Sequence, residues 1–211
     1  MTPLIPFIAL RTQGGINLAL RVRPGQVFKY TVVSTGRISA GSAKVKIKPT
    51  HTTRMETYKV QTVAGGVATF HTHYEMTGSP HGATRGDGEQ QLKANGEPPP
   101  GIDSYVFDTA CISDLSYPKT PVAIGQTWTA KVESFGKPSS AIFRFTLKKV
   151  DSLNGQFYAL IDVWAGNPAD KAGIVGTGTY WISLKDGLPL KKTLKENFGN
   201  RWVSEIAVQR Q

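Results

Sequence analysis

The sequence predicts a mainly β protein: a curved antiparallel sheet or open half-barrel, built from two similar β repeats and carrying one or two short helices. Three observations predict it. Apolar and polar residues alternate with period two in run after run, tight-turn dipeptides join those runs into hairpins, and one stretch matches another 100 residues later without a gap. Period two puts successive side chains on opposite faces of a strand, so an alternating run has one face for a core and one for water. The composition agrees. In 211 residues, 22 Gly and 13 Pro with only 19% charged residues lie far from a helical bundle. The 4 Trp, 7 Tyr and 9 Phe supply enough apolar bulk to order the chain, which excludes extended disorder.

Residues 1–22 read as an N-terminal arm or strand. Its run from Leu4 to Leu10 is too short to span a bilayer, and the flanks of a secretory leader are not visible around it. Residues 23–97 form the first repeat. Phe28, Tyr30 and Val32 share one face of its opening strand while Lys29 and Thr31 share the other; Tyr58 to Val63 and Val67 to Met76 then flank the Gly65-Gly66 turn. Gly78 to Gly88, rich in Gly, Ser, Pro and His, reads as irregular chain. Residues 98–117 are a Pro-rich linker opening on Pro98-Pro99-Pro100, with a short helix over Asp108 to Leu115. Residues 118–211 form the second repeat, in one domain with the first, and have their own hairpins: Phe143 to Val150 and Phe157 to Trp164 around Asn154-Gly155, then Tyr180 to Leu184 before Asp186-Gly187. Pro168 to Ala172 is a second short-helix candidate, and Trp202, Ser204, Ile206 and Val208 mark a closing strand.

The internal match sets Gly25-Gln26-Val27-Phe28 through Gly36 on Gly125-Gln126-Thr127-Trp128 through Gly136. Gly, Gln, Val, Ser and Gly coincide in place, and Phe28 meets Trp128 on the apolar face. Each copy continues into a lysine-bearing strand, a hairpin, and a Leu-Lys run with a Gly turn, Leu92 to Gly96 in one and Leu184 to Gly187 in the other. Duplication explains this; a Gly-Gln-x-aromatic signature shared by unrelated strand starts is the alternative.

Chemistry is sparse. The single cysteine, Cys111, excludes an intramolecular disulfide and any Cys-based zinc cluster, and it reads as a small buried hydrophobe. There is no G-x-S-x-G elbow, P-loop, H-E-x-x-H or dinucleotide fingerprint. Gly176-Thr177-Gly178-Thr179 has glycines but no helix after them and reads as a bulge or turn; Asp103, Asp108 and Asp114 have no identifiable base or nucleophile beside them. The expectation is therefore no enzyme and no cofactor. His71 and His73 share one strand face, but a metal would need a third ligand from His51, His81 or Glu75. The opposite face carries Phe70, Tyr74 and Met76, so the histidines read as a solvated pair and no metal site is assigned.

The formal net charge of +10 is concentrated early, since nine of the 25 basic residues precede the first carboxylate, Glu56. Lys44, Lys46 and Lys48 put three ammonium groups on one face of one strand, where they could meet an anionic membrane surface or guard an exposed edge. No aromatic residues interleave with them and no nucleic-acid-binding motif accompanies them, which argues against nucleic acid.

The segment from Pro118 to Trp128, with its Pro-x-x-Pro-Val-x-x-Gly-x-x-Trp phrase, resembles uncharacterised bacterial secreted-protein and lipoprotein families close to the LolA and LolB-like lipoprotein carriers. The resemblance covers mainly Pro118 to Leu190. It implies an open half-barrel wrapped round an acyl ligand and a periplasmic, cell-envelope or secreted location. The chain departs from a lipoprotein pattern in having its cysteine at 111, far from the start. The leading expectation is a non-catalytic envelope or secreted domain that binds a lipid or another hydrophobic molecule on a concave apolar face. The strands propose Phe28, Tyr30, Val32, Trp128, Val132, Phe143, Phe145 and Tyr180 as its lining; alternation alone leaves a packed interior equally open. A protein-interaction module using the lysine strand is the alternative, and a metal-binding or hydrolytic enzyme using the histidines comes third.

Overall fold

The computed structural model describes residues 15–38, 50–79, 82–100, 111–112, 114–134, 137–153, 155–166, 174–198 and 202–211. Among these residues ten strands form one antiparallel sheet, with no helix. They are β1 (Val27–Ile38), β2 (Thr50–Ala64), β3 (Val67–Thr77), β4 (Thr84–Lys93) and β5 (Thr127–Ser134), followed by β6 (Lys137–Leu153), β7 (Gln156–Gly166), β8 (Ile174–Ser183), β9 (Pro189–Phe198) and β10 (Trp202–Arg210). The sheet order is β4-β3-β2-β1-β10-β9-β8-β7-β6-β5. Two meanders, β1 to β4 and β5 to β10, are thus joined by the pairing of the first strand with the last, and β4 and β5 are left as the two edges.

Period two works as expected on the strands that carry it. Phe28, Tyr30 and Val32 are buried on β1, Phe143, Phe145 and Leu147 on β6, and Ala159, Ile161, Val163 and Ala165 on β7. Ile206 and Val208 do the same for the closing strand β10, whose Val208 stands opposite Val32. All belong to a single core cluster that reaches from Phe70 and Leu92 on one wing to Ala130 near the other edge, so the sheet wraps its inner face round one interior. Burying a side chain of this size is worth roughly 1.5–3 kcal/mol, which makes this face the main source of stability.

The two Gly-Gln corners fold alike. Gly25 and Gly125 have φ of 84° and 87°, the left-handed region glycine enters without strain. Gly25 N–H donates to Val60 O (2.8 Å) and Val60 N–H to Gln26 O (2.9 Å), while the Gln26 side-chain oxygen accepts from Arg23 N–H (2.7 Å). At the second corner Gly125 N–H donates to Leu147 O (2.7 Å), Leu147 N–H to Gln126 O (3.1 Å), and the Gln126 side chain accepts from Ala123 N–H (3.0 Å). Just beyond each anchored residue the ladder slips by one, between Val60 and Thr62 and between Leu147 and Lys149. Such bulges bend and twist a strand, which is how a long strand follows a curved surface.

Three sequence expectations change. Thr84 to Gly88, read as irregular, is the first half of β4. Its glycines serve close packing: a Cβ on Gly86 would lie 2.7 Å from the Tyr74 ring. Gly176 to Thr179 is regular strand in β8, where a Cβ on Gly178 would lie 2.3 Å from Thr193 O. The described part of the expected helix over Asp108 to Leu115 is irregular chain, because its polar groups bond to distant strands instead of to each other; Pro168 to Ala172 lies outside the described residues.

Candidate functional site

The inner face is covered by two irregular pieces of chain. Residues 15–22, 111–112 and 114–122 lie on it, and the two pieces are tied together by Ile16 N–H to Val122 O (2.7 Å) and Val122 N–H to Ile16 O (2.9 Å). Leu18, Leu20, Ile112, Leu115, Tyr117 and Val122 are buried in the same cluster as the strands. The first piece crosses from one wing to the other, with Leu20 N–H donating to Ala94 O (2.7 Å) beyond β4 and Arg21 N–H to Asp186 O (2.8 Å) beyond β8. The second, which we call the strap, is fixed by Tyr117 N–H to Asn95 O (2.7 Å), by the Tyr117 hydroxyl donating to Gly187 O, and by Trp128 Nε1–H to Ser116 O (2.8 Å).

The proposed lining residues stand against these pieces. Phe28, Tyr30, Val32, Phe143, Phe145 and Tyr180 are all buried, and Trp128 is half-buried. Trp128 stacks on Phe145 at 5.4 Å between centroids, and Phe145 on Phe143 at 6.0 Å. On the other wing Tyr30 and Tyr58 meet edge to face at 5.7 Å, an aromatic packing that supplements burial. The side chain of Val132 lies outside the described residues, as do Lys44, Lys46 and Lys48. So the structure brings six of the eight together on one interior and places a seventh at its margin.

Within this apolar surround sit two polar clusters, both reached by the strap. On β9, Lys192 is fully buried. Its ammonium donates to Asp114 Oδ1 of the strap (2.5 Å) and to Cys111 O (3.3 Å), and it lies 4.7 Å from the centre of the Tyr180 ring. The Tyr180 hydroxyl donates to the other oxygen of Asp114. Burial first, and then the Asp114 charge, push the Tyr180 phenol well up, so it stays protonated and able to donate. On β2, the buried Glu56 accepts from the Tyr58 hydroxyl and from Cys111 N–H (3.4 Å), and Arg54 pairs with its second oxygen. Burial also pushes the Cys111 thiol well up, away from the thiolate that a nucleophile would need. The Tyr30 hydroxyl is fully buried and has no hydrogen-bond partner among the described residues.

These charged groups were not legible as a site, because Lys192 and Glu196 occupy inward positions of β9 and break the apolar alternation that identifies a strand. Asp114 was noticed only among other aspartates; its partners are 66 and 78 residues away.

The histidines are at an edge hairpin. His71 and His73 flank Asp87 of β4, with His71 Nε2 at 3.5 Å and His73 Nδ1 at 2.9 Å from the same Oδ1. Glu75 lies 3.6 Å from His73 Nε2 and His51 contacts Thr35, while His81 lies outside the described residues. Among the described residues no three His, Cys, Asp or Glu side chains are placed to hold a metal ion.

No protein-family model and no curated protein matches the chain. Solved structures are similar to it, two of them as follows. One is described as a candidate exported protein with a YmcC-like fold from Bacteroides fragilis, 12% identical, with a TM-score of 0.42 over 92% of this chain and 99% of that one. The other is described as a candidate lipoprotein from Parabacteroides distasonis, 15% identical, with a TM-score of 0.36 over 90% of this chain and 97% of that one.

Proposed function

We propose that the protein is a non-catalytic envelope or secreted module that carries a hydrophobic ligand with an acidic end on the inner face of its sheet, and that the strap is the part that gives way. The observation carrying this reading is the position of Asp114. A carboxylate from irregular chain sits on Lys192 and Tyr180 of the sheet, as the acidic head of an amphiphile would. Apolar walls with a few placed polar groups are the usual make-up of a small-molecule site. The unpartnered Tyr30 hydroxyl supports it too, since an unsatisfied buried donor costs about 1–3 kcal/mol and a ligand oxygen would remove that cost. A strap held by scattered hydrogen bonds and one ion pair can exchange with a ligand by a shift between two populated states. The envelope or secreted location belongs to the same reading and follows the resemblance of Pro118 to Trp128 to carrier-like families.

Native mass spectrometry of the purified protein, with displacement of a fluorescent fatty acid, tests the proposal. The expected result is one acyl molecule per chain, bound more tightly as the acid than as its methyl ester. Lys192→Met abolishes that preference. A protein that purifies empty and takes up neither form overturns the reading.

A further inference from the structure

We propose that one end of the sheet, where the β2–β3, β6–β7 and β8–β9 turns lie, is a docking surface for an anionic lipid bilayer. This does not depend on a ligand inside the sheet.

Five large apolar side chains at this end are well exposed. Val27 (50%) starts β1 and Val63 (44%) stands beside the Gly65-Gly66 turn; Ile124 (63%) precedes β5, and Leu153 (60%) and Phe157 (44%) flank the β6–β7 turn. In an antiparallel meander these positions come from strand starts and strand ends alternately, so their convergence is a property of the fold and invisible as a run in the sequence. Scattered exposed apolar residues need no explanation, whereas a cluster at the tips of tight turns marks a contact surface.

The charge at the same end selects the partner. Three carboxylates there have a base, Glu97 with Lys93, Asp151 with Lys149 and Asp186 with Arg210, while Glu89, level with Lys59 across β2 to β4, makes no ion pair among the described residues. Arg23, Lys29, Lys59 and Lys185 are exposed and make no ion pair among the described residues. The end therefore presents apolar tips inside a surplus of positive charge, the combination that binds an anionic interface by burying the tips among acyl chains and pairing the bases with headgroups. A hollow of about 790 Å3 between the β6–β7 and β8–β9 turns, lined by Leu153, Phe157 and Leu190 with Lys185 and the Arg210–Asp186 pair, has room for part of one headgroup and its chain.

Sedimentation with vesicles of phosphatidylglycerol and phosphatidylcholine, against vesicles of phosphatidylcholine alone, tests this. Binding is expected to be at least tenfold tighter to the anionic vesicles and to weaken with salt, each surface base contributing roughly fivefold. Ile124→Ser with Leu153→Ser and Phe157→Ser should lower it at least tenfold without changing the unfolding midpoint, since these side chains are exposed. Lys59→Glu with Lys185→Glu should lower it on anionic vesicles only. Equal binding to both vesicle types, or full binding by the tip variant, overturns the proposal. So does a loss caused by Lys44→Ala, Lys46→Ala and Lys48→Ala together while the tip variant binds normally, because the lysine strand would then be the surface used.

Discussion

The two wings of the sheet meet the same strap with opposite chemistry. On the β8–β9 wing the sheet supplies a cation and a phenol, Lys192 and Tyr180, and the strap supplies the carboxylate of Asp114. On the β2 wing the sheet supplies the carboxylate, Glu56, and already satisfies it from its own strand through Arg54 and Tyr58; the strap adds only the Cys111 N–H. The side chains of the first pair are each 1% exposed, whereas Arg54 retains 17%. The difference is one of dependence. Removing the strap would strand an unpaired ammonium on one wing and leave a complete ion pair on the other, so the cluster on β8 and β9 depends on the strap and the one on β2 does not.

The largest expected effect follows. Asp114→Ala leaves Lys192 buried without a counter-charge and should cost about 3–5 kcal/mol, measured by urea unfolding. Glu56→Gln keeps an acceptor for Tyr58 and should cost about 1–3 kcal/mol. Replacing both members of the first pair, Asp114→Leu with Lys192→Met, should recover part of the loss, because two apolar groups need no partner, while the Tyr180 hydroxyl still lacks its acceptor. Equal costs for Asp114→Ala and Glu56→Gln would erase the asymmetry between the wings.

The same contrast separates what the sequence revealed from what it hid. Strands whose inward positions are all apolar, such as β1 with Phe28, Tyr30 and Val32, were readable from period two, and so were the hairpins at Gly65-Gly66 and Asn154-Gly155. β9 was not, because Lys192 and Glu196 point inward there, and β4 was not, because Gly86 and Gly88 stand where a period-two reading needs side chains. The strap was read as linker and helix since nothing local shows that Asp114 has partners on β8 and β9. Local signals report turns and faces; the fastening of one segment to another is a long-range fact that shows in sequence only as an anomaly, such as a charge on an inward position.

A middle-sized effect tests how far the wings are alike. The Gly25 and Gly125 corners have the same hydrogen bonds and nearly the same φ, and a Cβ at either meets nothing within 4 Å. Their environments differ, since β1 is central and β5 is an edge. If the corner is a purely local device, Gly25→Ala and Gly125→Ala should each cost roughly 1–2 kcal/mol, the strain of a left-handed alanine, and agree within about 0.5 kcal/mol. Thermal unfolding of the two variants measures this. An alanine tolerated at one corner alone would mean that the sheet position, and not the Gly-Gln signature, sets the conformation.

The smallest effect is confined to the β3–β4 hairpin, at the outer edge of the β2 wing. The hydrogen bond to Asp87, ahead of a weaker one to Glu75, raises the His73 pKa above its ordinary 6.5, and the bond from His73 lowers Asp87 below 3.8. A raised imidazole stabilises the fold fully below about pH 6.5 and loses that contribution as pH rises through the folded value; a lowered carboxyl contributes above about pH 3.8 and loses it as pH falls through its own folded value. The edge should therefore hold best between those limits and loosen on passing from pH 6 to pH 8, a change small enough at this exposure to be read by protease cutting in β4 and by the NMR titration of His73. The β8–β9 hairpin, interior to the sheet, should resist cutting equally at both values. An imidazole of His73 that titrates at or below 6.5, or a β4 edge cut equally at both pH values, would show that the two wings do not differ in this respect and that Asp87 is merely near the ring.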